Sequence, residues 1–203
     1  MKTISTFALL MCLVISVISC SKDDEIDIQS HDENRMMKEM HAMMDTMMNT
    51  PMPGDPDHHF AKMMQLHHKG AINMANIVLQ NGKDTTIKRM AQMMIQKQTQ
   101  EIADLQAFLT SHTPHAENQE FNMKMEMSME KMDRNADLQI INGDIDHDFA
   151  ALIIFHHQSA IEMADLVIHY GHESVIKNMA EMMKEDQEME IAELQEWLIE
   201  HRN

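Results

Sequence analysis

Apolar residues recur every three or four positions in two long stretches of the chain, the spacing that places side chains on one face of an α-helix. Residues 57–109 align without gaps with residues 146–198, and about half of the positions are identical. The chain therefore carries an internal repeat of helical segments. The stripe on the first helix of each copy consists of Phe60, Met64, His67, Ala71, Met74 and Val78, and of Phe149, Ile153, His156, Ala160, Met163 and Val167.

Each copy of the repeat predicts a helix, a short turn and a second helix. Gly82 and Gly171 follow the first helices, where glycine commonly ends a helix, and Thr85 and Ser174 are expected to cap the second helices. Because one hairpin cannot bury its apolar stripe alone, the two hairpins are expected to pack together. The predicted fold is all-α: a ferritin-like four-helix bundle of two repeated helical hairpins, with extra methionine-rich helical segments. The hairpins span residues 57–110 and 146–203.

Polar residues interrupt the apolar stripes at the same level of both hairpins. Antiparallel pairing about a turn near residue 83 places His67 opposite Gln98 and Glu101. A buried imidazole or carboxylate is costly unless it is hydrogen-bonded or binds a metal. Two interpretations are therefore open: a His–Glu pair that fixes the register of each hairpin, or a metal site. The corresponding residues of the second copy are His156, Gln187 and Glu190.

The second histidine of each adjacent pair, His68 or His157, lies about 100° further around its helix. This position is expected at a boundary between helices, half exposed to solvent, from which the imidazole can also reach a metal ion. Methionines lie within a turn of the same layer. The metal-ligand candidates in the hairpins are Met64, His67, His68, Met74, Met94 and Glu101 in the first copy, and His156, His157, Met163, Met183 and Glu190 in the second.

Two methionine-rich segments lie outside the aligned repeat, at residues 36–56 and within the connection 111–145. Their Lys and Glu content favours helices. Thioethers are soft ligands that select Cu(I) or Ag(I), whereas the alternative interpretation is that these methionines simply pack a core. Methionine doublets in the first segment spread sulfur over a wider arc than one packing stripe needs. The candidates are Met40, His41, Met43, Met44, Met47 and Met48, with Met123, Met125, Met127 and Met129 in the connection.

The first residues predict export. Residues 1–19 have a basic start, an apolar run and a small-residue end, which is typical of a signal peptide. The sequence before Cys20 resembles a bacterial lipobox, so we expect Cys20 to carry a lipid anchor. Residues 20–35 read as an acidic tether, and residues 21–25 resemble the tag of surface lipoproteins. The expected location is the cell envelope, at the outer membrane or its outer surface.

The net charge and the amino-acid composition exclude several kinds of partner and metal site. The formal net charge is −17, which excludes nucleic acid as a partner. Twenty-six methionines exceed what a core of this size needs, and aromatic residues make up 4%. Cys12 is lost with the signal peptide, so disulfides and thiolate metal sites are excluded. Any soft ligand must therefore be methionine.

These motifs resemble the bacterial family known as domain of unknown function 305, which has a ferritin-like four-helix bundle. Its pattern is Asp, Phe, Met, His-His, Ala and Met-Ala in the first helix of a hairpin, followed by Gln and Glu-Ile in the second. The first copy carries it as Asp57, Phe60, Met64, His67, His68, Ala71, Met74, Ala75, Gln98, Glu101 and Ile102. The second copy carries Asp146, Phe149, His156, His157, Ala160, Met163, Ala164, Gln187, Glu190 and Ile191.

The resemblance implies an exported copper-binding protein of the kind used in metal resistance. One departure weakens the second copy as a soft-metal site, because Ile153 stands where the family pattern has methionine.

The function expected from the sequence is therefore a lipoprotein that binds copper, Cu(I) above all, as a buffer or carrier in copper tolerance. A copper-transfer protein is the expected partner, and the hairpins allow a homodimer by exchange. The alternatives are a metal-dependent oxidase and a helical interaction module without metal. The oxidase is disfavoured because no Glu-x-x-His, the motif of ferritin-like di-metal sites, occurs in the chain. We expect no enzymatic activity.

Overall fold

The computed structural model describes residues 28–51 and 54–201, which form six helices. The all-α class predicted from the sequence is confirmed. The signal peptide, the lipid anchor at Cys20 and the acidic tag lie outside the described residues, so they stay predictions. The helices are α1 (Arg35–Met48), α2 (Pro56–Asn81), α3 (Thr85–Ser111), α4 (Gln119–Asp137), α5 (Ile145–Tyr170) and α6 (Ser174–Glu200).

The predicted hairpins are α2–α3 and α5–α6, and they join through a central pair formed by α2 and α5. α3 packs on α2, and α6 packs on α5. The methionine-rich helices α1 and α4 cover another face of the central pair, where α1 packs on α2, α4 packs on α5, and the two contact each other. α2 and α5 are therefore enclosed by helices on several sides, which explains why most of their residues are buried.

The internal repeat extends beyond the hairpins to include the methionine-rich helices. With the shift that aligns the hairpins, buried Met36, Met40 and Met43 of α1 correspond to Met125, Met129 and Met132 of α4. The turns into α2 and α5 also correspond, because Gly54 and Gly143 both adopt left-handed backbone, with φ of 81° and 80°. The methionine-rich segments are thus the first helix of a three-helix repeat. Sequence alignment stops at residue 57 because few other positions in these helices are identical.

The methionine doublets of α1 have a packing explanation. Six of its seven methionines are buried, because α1 contacts α2, α4 and α5 at once and so needs a wide apolar arc. Only Met48 is exposed among them. In α4, Met125 and Met129 are buried whereas Met123 and Met127 face solvent, as their spacing predicts.

The caps of the second helices lie one residue earlier than predicted. Asp84, not Thr85, caps α3 by accepting hydrogen bonds from the backbone N–H groups of Thr86 and Ile87. Glu173, not Ser174, occupies the N-cap position of α6, and its side chain makes no capping bond. The Glu173 carboxylate is therefore available for other contacts.

An aspartate near the start of each central helix holds the turn of the other repeat. Asp146 of α5 accepts hydrogen bonds from the N–H groups of Lys83 and Asp84 at 2.6 and 2.9 Å. Asp57 of α2 accepts equivalent bonds from His172 and Glu173 at 2.8 and 3.1 Å. These reciprocal contacts join the two halves at both turns.

The glycines of these turns are needed for space rather than for left-handed backbone. Gly82 and Gly171 have φ of −62° and −67°, values open to any residue. A Cβ on Gly82 would meet the carboxylate of Asp146, and a Cβ on Gly171 would meet that of Asp57. The expectation that glycine ends these helices is confirmed, but its cause is the space taken by the aspartate of the other repeat and by the carbonyl of Val78 or Val167.

The end of the predicted tether makes specific contacts. The N–H of Gln29 donates to the carbonyl of Ile141 at 2.7 Å. Asn34 caps α1 and donates to Asp148 of α5 at 2.7 Å. Residues 29–34, which the sequence analysis assigns to the tether, are therefore attached to the second repeat.

Within residues 28–51 and 54–201, one helix resembles a membrane span in its length and apolar character. α5 is long and apolar enough by length and composition to cross a bilayer. Over half of its most apolar window, 56%, is buried inside the bundle. This is the pattern of a core helix enclosed by other helices.

The reciprocal aspartate contacts predict a specific stability effect. Gly82→Ala and Gly171→Ala should each lower the free energy of unfolding by about 1–3 kcal/mol, because the added methyl group displaces a carboxylate that satisfies two backbone N–H groups. Urea unfolding measures this change. Asp104→Ala on the exposed face of α3 is the control and should have little effect. A neutral or stabilising Gly82→Ala would contradict the interpretation.

Candidate metal centre

Four histidines occupy the centre of the bundle, all fully buried. They are the adjacent pairs His67 and His68 of α2 and His156 and His157 of α5. The rings of His67 and His156 meet across the central helix pair, with centroids 3.5 Å apart and planes tilted by 36°. The two outer rings lie further away, His68 at 6.3 Å from His67 and His157 at 5.8 Å from His156. The repeat therefore creates a four-histidine layer across the core.

The partners of these histidines differ from the prediction. His68, not His67, approaches Glu101, with 2.8 Å between Nε2 and the carboxylate, although the angle is poor for a hydrogen bond. His157, not His156, bonds Glu190 at 2.6 Å. The expectation that the second histidine of each pair is half exposed is wrong. Because each central helix is enclosed by several neighbours, positions 100° apart are both buried, the first facing the other central helix and the second facing its own hairpin partner.

The first histidine of each pair makes a hydrogen bond to the other repeat. Nε2 of His156 donates to the carbonyl of His67 at 3.1 Å. The hydroxyl of Ser159 donates to the carbonyl of His156 at 2.8 Å, so it accepts from Nε2 of His67 at 2.9 Å. Ser159 was not recognised from the sequence, because it stands where the first repeat has Gly70 and carries no motif of its own.

Each of the four imidazoles has at least one nitrogen without a hydrogen-bond partner, and in His68 neither nitrogen makes a hydrogen bond. Nε2 faces a carboxylate, a carbonyl or a hydroxyl that accepts, so in the neutral ring the proton lies on Nε2. Nδ1 of all four rings is buried and makes no hydrogen bond. Buried polar atoms without partners are rare in native proteins, and a metal ion is one explanation for them. The side-chain oxygens of Gln98 and Gln187 in the same layer are also unpartnered.

Burial controls the charge of the central pair. Loss of hydration lowers the pKa of His67 and of His156 well below the usual value, and the neighbouring histidines lower it further. Both rings are therefore neutral at pH 7, which is the state that binds metal.

The histidine layer alone does not form a ready-made site for three ligands. Among residues 28–51 and 54–201, the one group of three histidine, cysteine or carboxylate ligand atoms within 4.8 Å of each other lies elsewhere, at His112, His115 and Glu173. The predicted methionine candidates of the hairpins are all buried, as is Ile153, which replaces the motif methionine. These candidates are Met64, Met74, Met94, Met163 and Met183.

The methionine-rich helices reach the central pair through matched contacts. Sδ of Met132 in α4 lies 2.9 Å from the hydroxyl of Ser159, next to His67. The side chain of Met43 in α1 fills the corresponding place over Gly70, where an added Cβ would clash with it. Ser159 therefore lies between the thioether of Met132 and the ring of His67.

A cavity of about 200 Å³ opens between α1, α2 and α4 and gathers four methionines with one histidine. Met47, Met63 and Met129 are buried in its wall, and Met48 lies at its exposed rim. The remaining lining residues are Thr50, His59, Asn122 and Glu126. Met47, Met48 and Met129 are among the ligands predicted from the sequence, whereas Met63 and His59 are not.

In the ring of His59, which lines this cavity, one nitrogen makes a hydrogen bond and the other is left for a ligand. Its Nδ1 lies 2.9 Å from the side-chain oxygen of Asn122, which can only accept, so the proton lies on Nδ1 and the lone pair on Nε2. Burial lowers the pKa of His59, and Asn122 only partly offsets this. The neutral ring therefore has the form of a metal-binding histidine whose second nitrogen is held by an acceptor.

The residues that α1 and α2 contribute to the cavity are not repeated in α4 and α5. At the corresponding positions of the second repeat, Ala136, Asp148 and Leu152 replace Met47, His59 and Met63. Asp148 instead accepts from Asn34 and from the N–H groups of Asn142 and Gly143. The aligned sequences show this difference, but only the positions of α1 and α4 show that these residues line a cavity.

His41, a predicted ligand of α1, lies outside the cavity lining. Its Nε2 lies 2.9 Å from a carboxylate oxygen of Asp137, at an exposed contact between α1 and α4. Its neighbours Met40, Met43 and Met44 are buried between the helices.

Comparison with known proteins agrees with the motifs. The family model described as "Domain of unknown function (DUF305)" matches residues 57–198. No curated protein matches the chain.

Three solved structures share the fold. A DUF305 protein from Streptomyces coelicolor, described as secreted, is 22% identical, with a TM-score of 0.57 over 73% of this chain and 94% of its own. CopM in a silver-bound form obtained by soaking is 23% identical, with a TM-score of 0.55 over 72% of this chain and 97% of its own. A DUF305 fragment from Deinococcus radiodurans is 19% identical, with a TM-score of 0.53 over 72% and 96%.

The buried histidines predict how metal-free stability depends on pH. The unfolded chain takes up protons as the pH falls through about 6.5, whereas His67 and His156 in the folded chain do not until a lower pH. The free energy of unfolding should therefore decrease below pH 7, by up to about 1.4 kcal/mol per pH unit for each histidine. Urea unfolding between pH 7.5 and 5 measures this slope.

Other histidines must be separated from this effect. Glu173 raises the pKa of His115 and Asp148 raises that of His147, so these two oppose the slope. Burial lowers the pKa of His58 and of His59, so these two add to it. The variant His115→Gln/His147→Gln removes the two opposing histidines from the background. NMR of the ring protons then assigns the buried pair, and titration of either ring near pH 6.5 would contradict the prediction.

Proposed function

Because the chain belongs to the family of domain of unknown function 305, we propose that it is an exported protein that binds copper as Cu(I), and also Ag(I). The observation that carries the proposal is the cavity lined by Met47, Met48, Met63, Met129 and His59. The silver-bound form of CopM, a protein of the same fold, supports the choice of a soft ion.

The chemistry of the cavity suits a soft monovalent ion. Thioether sulfur binds Cu(I) and Ag(I) and has little affinity for Mg²⁺ or Ca²⁺. Its one carboxylate, Glu126, lies at an exposed position. A thioether has no proton to lose, and neutral His59 offers the lone pair of Nε2. A metal ion can therefore bind without the release of a proton. The buried thioethers and the open rim at Met48 combine a shielded site with a route from solvent.

The histidine layer supplies a second set of ligands. Its unpartnered Nδ1 atoms and the nearby Met132 extend the soft-ligand set from the cavity towards the core. The other metal ligands predicted in the hairpins include Met64, Met94, Glu101 and Glu190. They lie around the same core and stay predicted ligands. Several ions per chain are expected.

The cellular role that fits these features is a buffer or carrier in copper tolerance. The predicted anchor at Cys20 would hold the protein at the cell envelope. Its net charge of −17 raises the concentration of cations near its surface. Release to a copper-transfer protein would complete a carrier function, and a homodimer would double the number of sites. We propose metal binding rather than catalysis, because the cavity combines thioether and imidazole ligands with a single exposed carboxylate.

Substitution of the buried thioethers tests the cavity. The variant Met47→Leu/Met63→Leu/Met129→Leu keeps the volume of the core nearly constant, at a cost of less than about 1.5 kcal/mol for each position. We expect it to lose one bound Cu(I) or Ag(I) per chain in titrations against a competing chelator. The control Met36→Leu/Met37→Leu changes two buried methionines of α1 that lie outside the cavity lining and are not among the predicted ligands.

The outcome distinguishes binding from packing. If the cavity variant and the wild type bind the same number of ions with the same affinity, the cavity is not the site. An equal loss in the control variant would assign binding to the whole methionine layer instead. Circular dichroism at matched temperature checks that both variants remain helical.

Asn122 tests whether His59 is a ligand. Asn122→Leu removes the acceptor that fixes the His59 ring, and loss of such a partner typically weakens metal binding by about 10–100-fold. Asn122→Asp retains an acceptor and should restore most of the affinity. Titration with Ag(I) at pH 7 measures both. Equal affinity of Asn122→Leu and the wild type would show that His59 does not bind the ion.

A further inference from the structure

A separate cluster of nitrogen and oxygen ligands lies at one end of the bundle. His112 ends α3, His115 follows in the connection to α4, and Glu173 begins α6. One ligand atom from each lies within 4.8 Å of the others. None of these residues lines the methionine cavity, and none belongs to the histidine layer of the core.

His112 is held with one nitrogen free. Its Nε2 donates to a carboxylate oxygen of Asp55 at 2.5 Å, and its ring stacks on Phe108 with centroids 4.6 Å apart. Burial raises the pKa of Asp55, but hydrogen bonds from His112 and from two backbone N–H groups outweigh this and lower it. Asp55 is therefore an ionised acceptor, and Nδ1 of His112 carries the lone pair, 3.9 Å from Glu173.

His115 and Glu173 complete the cluster on the solvent side. Nε2 of His115 lies 3.1 Å from the Glu173 carboxylate, and its backbone N–H donates to Asp55 at 3.1 Å. Their side chains are 43% and 40% exposed, so an ion can reach them and they can adjust around it. Glu173 makes no capping bond at the start of α6, which leaves its carboxylate available.

We propose that His112, His115 and Glu173 bind a divalent transition-metal ion, with Cu(II) preferred to Zn(II). Two imidazoles and one carboxylate are ligands that these ions favour, and Cu(II) forms the stronger complexes of the two. No thioether is among the three ligands, so Cu(I) and Ag(I) are not expected there. Asp55 acts as the acceptor that orients His112. This site does not depend on the soft-metal function of the cavity.

The second repeat provides an internal control at its own end. His201 corresponds to His112, stacks on Trp197 with centroids 4.2 Å apart, and lies 4.0 Å from Asp84, the counterpart of Glu173. Within the described residues, no third histidine or carboxylate completes a group of three there. A histidine and a carboxylate in similar surroundings are therefore present without the third ligand.

The test measures Cu(II) binding to the full chain by calorimetry and electron paramagnetic resonance. His115→Ala should weaken the tightest Cu(II) site at least tenfold and remove one nitrogen from its spectrum, since His115 is exposed and its loss leaves the fold intact. Glu173→Gln should also weaken the site. His201→Ala is the matched control and should leave the site unchanged, and a competition with Zn(II) should favour Cu(II).

Ag(I) titration of the same variants separates this site from the cavity. Unchanged Ag(I) binding in His115→Ala, together with loss of Cu(II) affinity, supports the proposal. The proposal is overturned if His115→Ala binds Cu(II) as the wild type does, or if His201→Ala loses as much affinity. Absence of Ag(I) binding to the wild type would contradict the soft-metal proposal alone.

Discussion

The contact between α2 and α5 is the constraint on which the rest of the structure depends. The rings of His67 and His156 meet in the middle of this contact, and each central helix is enclosed by helices from its own repeat. Polar groups in such a place must find partners or remain neutral. The core meets this condition with cross-repeat hydrogen bonds through Ser159 and with outer imidazoles turned to Glu101 and Glu190.

The two repeats share a scaffold but differ where function is expected. The reciprocal contacts of Asp57 and Asp146 are equivalent in both halves, as are the left-handed glycines before α2 and α5. In contrast, the first repeat has His59 and Met63 where the second has Asp148 and Leu152. In the second repeat this position attaches the chain preceding α1. In the first repeat it contributes to a methionine-lined cavity that α4 completes.

Methionine serves two purposes in this protein at once. Its flexible side chain fills the irregular space between α1, α4 and the central pair, and its sulfur remains a soft ligand wherever a cavity exposes it. Most methionines of α1 are buried, so their number alone is explained by packing. What distinguishes Met47, Met63 and Met129 is the shared cavity with His59, not their place in a methionine-rich run.

The sequence alone determined the all-α class, the two hairpins and the presence of histidine, glutamine and glutamate in one layer of the core, because helical periodicity and an internal repeat are local properties of the chain. It misassigned the partners of His67 and His68, since a single stripe per helix does not show how many neighbours enclose it. The tertiary structure alone decided that α1 and α4 belong to the repeat and that His59 lies among methionines. It also brought Glu173 to His112 and His115, because segments that are far apart in the chain meet only when the helices pack.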